Sequence, residues 1–303
     1  MSSPKSVLVF GPTGGVGSSA AHTAHRLGVH VYLAMRDTNK SIPGLSNPQD
    51  GYTRVQADLS DPKSLTSAVH KSGAKAAFAY VLHQSPDPMA SSFAALKDAG
   101  IEYVVLLSSY TVKGDPSAPE NHLDFIGALH AKTEMALKES GLRYTALRPA
   151  FFNTNVFWNL ADIKKGYVEL LYPDIQFDFI APSDIGIVAA TVLIQQPQES
   201  HLLLCGPELL TQYQAYGIVG KVLGKEIKVK ALSEQEWRDK LSYMPKPVLD
   251  TLAKGMRDSH EGVDAYKDEW YNEGVGNLKK WTKGQGGGKE FGEWVAENKD
   301  VFA

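Results

Sequence analysis

At 303 residues, 43% hydrophobic and 21% charged, the chain has the size for one large α/β domain, or one domain with a substrate-binding extension, and the composition of an ordinary globular protein. A net charge of −3 with both signs scattered excludes the basic footprint of a nucleic-acid binder or of a protein held on an anionic membrane, and no apolar run approaches spanning length. The only cysteine, Cys205, excludes an internal disulfide, reads as a small buried apolar residue and suits a reducing compartment, so a cytoplasmic protein is expected. The first predicted strand starts at about residue 6, which leaves no length for a targeting peptide ahead of it, and no metal site is expected.

The stretch 7–17 (VLVFGPTGGVG) organises the rest. Four apolar residues read as a buried parallel strand, and Ser18 to Leu27 as a helix. Between them stand Gly11, Thr13, Gly14, Gly15, Val16 and Gly17, a device for holding a pyrophosphate. Gly11 permits the sharp turn, Gly14 lets the backbone approach the phosphates, and Gly17 lets the helix pack on the strand. The helix N-terminus then offers free N–H groups and the positive end of its dipole. A glycine-rich turn with no ligand is the plain alternative.

Residues 29–35 (VHVYLAM) predict the second strand, with Arg36 at its end, 19 residues after Gly17. In a dinucleotide fold this position reads the adenosine ribose: a carboxylate binds the 2′-OH of NAD, and an arginine accommodates the 2′-phosphate of NADP. Arg36, with Lys40 in the following loop, therefore points to NADP(H), although Asp37 stands directly beside it. A third strand at 53–56 leads to Asp58 and Leu59, where the adenine edge and ring would lie. Asp61 and Pro62 open a helix as N-cap and first-turn residue. A fourth strand over 74–82 delivers Tyr80, Val81 and Leu82, expected at the cofactor, and His83, expected at the substrate, to the carboxyl ends of the sheet, where ligands bind. A helix at 89–99, a strand at 103–107, a helix at 123–139 and a strand at 143–147 complete an alternation that predicts a doubly wound parallel sheet.

From Ala150 the rhythm changes. The run Phe151 to Trp158 is dense in aromatic and amide side chains. It floors a substrate pocket with Phe152, Asn155 and Trp158, or it packs its rings into core. Further helices are expected over 184–194, 213–223, 234–241 and 291–298, with one more strand at 202–205. The division expected is a dinucleotide-binding domain over 1–150 and a smaller mixed substrate-binding region over 151–303, part of which returns to the sheet.

The chain resembles the NmrA-like branch of the atypical short-chain dehydrogenase/reductases along nearly its whole length. The likeness is carried by GPTGGVG at 11–17, ADLSD at 57–61, SGLRYTALRP at 140–149, APSDI at 181–185 and GEWVAEN at 292–298. It implies a Rossmann-like domain that binds NADP(H), with a C-terminal region over the substrate. Members of that branch include reductases and also redox sensors without turnover.

The wider superfamily carries Tyr-x-x-x-Lys on the helix before the sixth strand. Here the resemblance puts the lysine slot four residues before Glu134 and eleven before Gly141, which is His130, and the tyrosine slot at Ile126. Lys132 is two positions on, about 200° around a helix, so the two cannot both face a cofactor; a shifted register would make Lys132 the functional residue. With an ordinary pKa of about 6.5, His130 is expected to exchange a proton near neutrality. Tyr110 is a second proton donor, Ser108 and Ser109 are hydrogen-bonding groups for cofactor or substrate, and Pro149 and Phe151 are expected along the nicotinamide. The function expected is an NADPH-dependent reductase of a small apolar molecule of imine, iminium, enone or quinone type in natural-product biosynthesis, with room for a coupled cyclisation. The alternative is a non-catalytic NADP(H) sensor.

Overall fold

The computed structural model describes residues 4–42, 45, 51–263 and 266–302. In chain order its elements are β1 (Ser6–Phe10), α1 (Gly15–Arg26), β2 (His30–Met35), β3 (Tyr52–Gln56), α2 (Pro62–Ser72), β4 (Ala76–Tyr80), α3 (Ala90–Ala99), β5 (Tyr103–Leu107), α4 (Phe125–Glu139) and β6 (Arg143–Pro149). There follow α5 (Leu160–Lys165), β7 (Tyr167–Leu171), β8 (Gln176–Phe177), α6 (Pro182–Gln195), β9 (His201–Leu204), β10 (Leu210–Thr211), α7 (Gln212–Leu223) and β11 (Lys228–Leu232). The chain closes with α8 (Glu234–Lys240), α9 (Lys246–His260), α10 (Asp268–Thr282), α11 (Phe291–Glu297) and α12 (Lys299–Phe302).

Seven strands form one parallel sheet in the order β3-β2-β1-β4-β5-β6-β9. The strand order reverses between β1 and β4, and ligands in such sheets bind in the crevice beyond the carboxyl ends at that switch. Strand alternation sends Val7 and Val9 to one face and Leu8 and Phe10 to the other. The first face is covered by α1, α6 and α10, and the second by α2, α3 and α4. Because both faces are buried, the strands read as continuous apolar runs.

Close packing of α1 against α6 depends on small residues. A Cβ at Gly186 would meet the Ser19 Cβ at 2.4 Å, and the Ser19 hydroxyl donates to the Ser183 carbonyl at 2.6 Å. Beyond β6 a second core gathers around β7, α7, α8, α9 and α11, with two small sheets, β7-β11 parallel and β8-β10 antiparallel. The chain past residue 150 also returns to the main sheet through β9, α6 and α10.

Several boundaries differ from the sequence reading. Helix α1 begins at Gly15, so the last two glycines of the turn lie within its first turn instead of ahead of it. Helix α4 starts at Phe125 because the Asp124 carboxylate caps the Gly127 amide at 2.8 Å, and β6 runs on to Pro149. The long helices α9 and α10 and the strands β7 and β11 were not expected. Leu249, Ala253 and Met256 of α9, and Gly274, Leu278 and Trp281 of α10, keep regular helical spacing, and β11 carries Lys at its first and third positions.

Candidate active site

The turn after β1 is built by two glycines with different reasons. Gly11 has φ +64°, a conformation that side chains disfavour. Gly17 lies where a Cβ would sit 2.3 Å from the Gly11 carbonyl oxygen, so α1 reaches the strand only without one. Gly14 is the N-cap of α1; no side chain caps the helix and its first turn holds no acid. Its leading N–H groups are therefore left for a ligand, with the dipole behind them. Gly14 and Gly15 are exposed, whereas Val16 and Gly17 are buried beneath the turn and serve its shape.

A crevice runs from this turn along the carboxyl ends of the strands. Its first part, 680 Å³, is bordered by Gly11, Thr13, Arg36, Lys40, Asp58 and Leu59. Its second part, 860 Å³, shares Arg36, Asp58 and Tyr80 with the first and continues past Val81, Leu82, His83, Ser108, Ser109, His130, Pro149 and Phe152. Arg36 is exposed at the junction. Asp37 lines the same part of the crevice, with one carboxylate oxygen accepting from the Asn39 amide at 2.9 Å. The loop carrying Lys40 is braced by Arg54 of β3, which donates to the carbonyls of Thr38 and Lys40 at 2.7 and 3.0 Å. Asp58 accepts from the Ser60 amide and hydroxyl at 2.9 and 2.7 Å; these bonds, the amide first, hold its carboxyl below the usual range with help from Arg36.

The residues present suit an NADP-type dinucleotide. Uncapped helix amides stand at the glycine turn, and two cations stand at the ribose position. The crevice is long enough to run from Lys40 to Pro149.

At the far end, Ser108, His130, Glu134 and Arg148 form one cluster. Spacing of four on α4 puts His130 and Glu134 on the same helix face. The Arg148 guanidinium grips the Glu134 carboxylate through two bonds of 3.1 and 2.6 Å, both side chains almost fully buried. The Ser108 hydroxyl donates to Glu134 at 2.5 Å, and the His130 Nδ1 lies 3.5 Å from the same hydroxyl oxygen. Burial pushes the His130 imidazole down to about 4, and His83 adds to the fall. His130 is thus neutral at pH 7, which corrects the expectation of an acid working near neutrality. Lys132 is exposed and lines neither part of the crevice, for the reason of helical rotation already given. The alternative register that would use it has no geometric support.

A third cavity, 430 Å³, opens beside the crevice and shares Ser109 and Ala150 with it. Its walls include Tyr110, Phe151, Asn155 and Trp158, together with Met256 of α9 and Tyr266 and Trp270 from around the start of α10. Tyr110 meets Trp270 edge-on at 5.8 Å, and the Lys113 ammonium lies 4.9 and 4.8 Å above the two rings. Ser109 accepts from the Thr111 amide and hydroxyl at 3.2 and 3.0 Å, so its own proton remains to be donated.

Two assignments exchange places. Phe151, expected along the cofactor, lines the third cavity, and Phe152, expected at the substrate, lines the crevice. His83, also expected at the substrate, lines the crevice. The aromatic run serves pocket and core together: Phe151, Asn155 and Trp158 face the cavity, while Val156 is buried and Phe157 packs on Trp294 and Phe302.

Sequence reasoning missed the clamp beneath that cavity. Asp178, fully buried, accepts from the Phe151 amide at 2.8 Å, the Gly206 amide at 2.7 Å and the Tyr266 hydroxyl at 2.6 Å. Burial pushes its carboxyl up to about 6 against the pull of those donors. It joins the end of β6, the end of β9 and the approach to α10. No local motif signals such a residue, because its partners are 27, 28 and 88 positions away.

A parallel seven-stranded sheet with a glycine turn at its switch point defines a Rossmann-like α/β protein. The chain belongs to the NmrA-like family, whose model matches residues 3–270. It is 37% identical to the nitrogen metabolite regulation-like protein bik4 of Gibberella fujikuroi over 91% of each chain. It is 26% identical to the (4-alkanoyl-5-oxo-2,5-dihydrofuran-3-yl)methyl phosphate reductase of Streptomyces griseus over 98% of this chain and 99% of that one. In fold it is similar to an NADPH-dependent quinone oxidoreductase of Escherichia coli solved with NADPH, with a TM-score of 0.73, 20% identity, and coverage of 97% and 99%.

Proposed function

We propose that this chain is an NADPH-dependent reductase of a small apolar organic molecule of imine, iminium, enone or quinone type, acting in natural-product biosynthesis in the cytoplasm. One observation carries the reading: the crevice that suits a dinucleotide and the aromatic cavity share a wall at Ser109 and Ala150. A nicotinamide at the Pro149 end of the crevice would there meet a molecule held in the cavity. NADPH, when bound, supplies the hydride. The chain's own residues hold the dinucleotide, keep the acceptor against it and exclude water with Phe151, Trp158 and Trp270. In this reading residues 1–150 hold the cofactor and residues 151–303 supply most of the substrate cavity. A reductase and an agroclavine dehydrogenase among the relatives support an oxidoreductase that uses this cofactor.

The test is NADPH consumption followed by absorbance with panels of imines, quinones and enones. Turnover on one panel supports the proposal and names the bond reduced; cyclised product after reduction would add the coupled step. A second reading, a sensor that binds NADP(H) without turnover, is favoured by Ile126 and His130 standing where the superfamily has tyrosine and lysine. The regulatory name of one relative favours it too. Tight NADPH binding with no consumption on any panel supports that reading.

A further inference from the structure

Taken with the cofactor reading above, the cluster at the far end of the crevice assigns a chemical sense to His130. Ser108 owns a single hydroxyl proton. Glu134, gripped by Arg148 through two bonds, is an acceptor only, and the Ser108–Glu134 contact is a full ångström shorter than the Ser108–His130 contact, 2.5 against 3.5 Å. The proton of Ser108 therefore lies toward Glu134, and Ser108 can only accept from the ring. A bare Nδ1 would set two lone pairs against each other in a buried place. The other ring nitrogen, Nε2, has no partner among the described residues and is not among the buried unsatisfied atoms, so it is open to the crevice.

We infer that Glu134, acting through Ser108, is a positioning residue. It fixes His130 as the Nδ1–H tautomer, with bare Nε2 accepting a hydrogen bond from a hydroxyl of the cofactor's nicotinamide ribose. The residue in the lysine slot then takes a proton in a hydrogen bond where lysine would give one, and it does not protonate the substrate. The charged and titratable groups around it are His83 from the loop after β4, Glu134 on α4 and Arg148 on β6. None of them supplies His130 with a second donor bond.

The experiment is nitrogen NMR of the full chain labelled with 15N-histidine, which distinguishes the protonated from the bare ring nitrogen. His130 is identified among the nine histidines by the signal that disappears in His130→Gln. The expected result without cofactor is a protonated Nδ1 and a bare Nε2. Ser108→Ala, which leaves the Glu134–Arg148 pair intact, is expected to return the ring to the Nε2–H form that free histidine prefers. Glu134→Gln, whose amide donates to Ser108 and turns its proton toward His130, is expected to do the same. Oxidised NADP, which permits no turnover, is expected to shift the Nε2 signal alone, and its affinity to fall by about threefold to tenfold in Ser108→Ala, the worth of one hydrogen bond. An Nε2–H ring in the parent protein, or a tautomer unchanged in Ser108→Ala, overturns the positioning role. An Nε2 signal that moves only when a substrate analogue joins bound NADP overturns the ribose contact. Absence of any NADP binding overturns the ribose contact together with the cofactor reading, while the tautomer, read without cofactor, is judged on its own.

Discussion

Phe151 and Phe152 are consecutive, yet their rings line different chambers: Phe151 stacks on Phe177 at 3.9 Å in the wall of the aromatic cavity, and Phe152 faces the crevice. Extended backbone between the end of β6 and the turn that follows sends neighbouring side chains to opposite sides. The partition predicts separable defects. Phe152→Ala should weaken NADPH binding, while Phe151→Ala should raise KM for the substrate and leave the NADPH dissociation constant within about twofold of the parent. Calorimetric titration and steady-state kinetics read the two quantities; cofactor affinity falling equally in both variants would contradict the partition.

Arg36 should separate NADPH from NADH. Losing charge-assisted bonds to a 2′-phosphate costs about 1.5–3 kcal/mol, or roughly tenfold to a hundredfold in affinity. Arg36→Ala is expected to lose that factor for NADPH and little for NADH. In the parent, NADPH at a hundred times its dissociation constant should add about 2.7 kcal/mol of stability and raise Tm by several degrees. Titration against both cofactors and thermal melts check the pair of statements.

The two glycines of the turn should fail differently. A Cβ at Gly17 would lie 2.3 Å from a backbone oxygen, whereas one at Gly14 would lie at an ordinary 3.6 Å. Gly17→Ala should therefore cost about 3 kcal/mol or more of stability by forcing α1 off β1. Gly14→Ala should fold with nearly the parent's Tm and lose cofactor affinity, because it adds a methyl group at the exposed N-cap of α1, whose free amides are assigned to the phosphates. Denaturant unfolding and NADPH titration of both proteins are the measurements.

Half-buried His130 and buried Asp178 oppose each other in the acid range. His130 is pushed down to about 4 from 6.5, so between those values the unfolded chain holds a proton that the folded one lacks, and stability falls as pH falls. Asp178 is pushed up to about 6 from 3.8, so between those values the folded chain holds the extra proton, and stability falls as pH rises. Relative to the parent, Asp178→Asn should gain stability more steeply with rising pH between about 4 and 6. His130→Phe should show the reverse difference. Urea unfolding at a series of pH values gives both slopes.

Turnover, once a substrate is found, should depend on His130 and ignore Lys132. Loss of a group that seats the nicotinamide ribose misplaces the hydride, a fault of about a hundredfold in kcat. His130→Ala should show that loss, and Lys132→Ala, an exposed side chain outside the crevice, should match the parent.

What the sequence made legible was the part written locally. Strand β1, the glycine turn and α1 lie within about twenty residues, so their spacing alone announces a phosphate cradle; Arg36 follows from its place at the end of β2. The walls of the aromatic cavity were not legible. Trp270 and Met256 line the cavity together with residues far back in the chain, such as Tyr110, and Asp178 works through partners far along the chain. The exchange between Phe151 and Phe152 turns on backbone direction after Pro149, which no residue pattern encodes. The neutrality of His130 arises from burial, a property of the assembled site.

The late arrival of β9 has a consequence for synthesis. A nascent chain that has released its first 150 residues already owns six strands and the glycine turn, but β6 still presents unpaired edge groups until His201–Leu204 emerge to cover them. The cavity walls contributed by residues 251–270 come later still. The residues of the dinucleotide cradle thus leave the ribosome well before there is anywhere for a substrate to sit, and α6, on which α1 packs, follows them. During that interval the naked β6 edge is the place where a stalled or truncated chain would join another copy and aggregate.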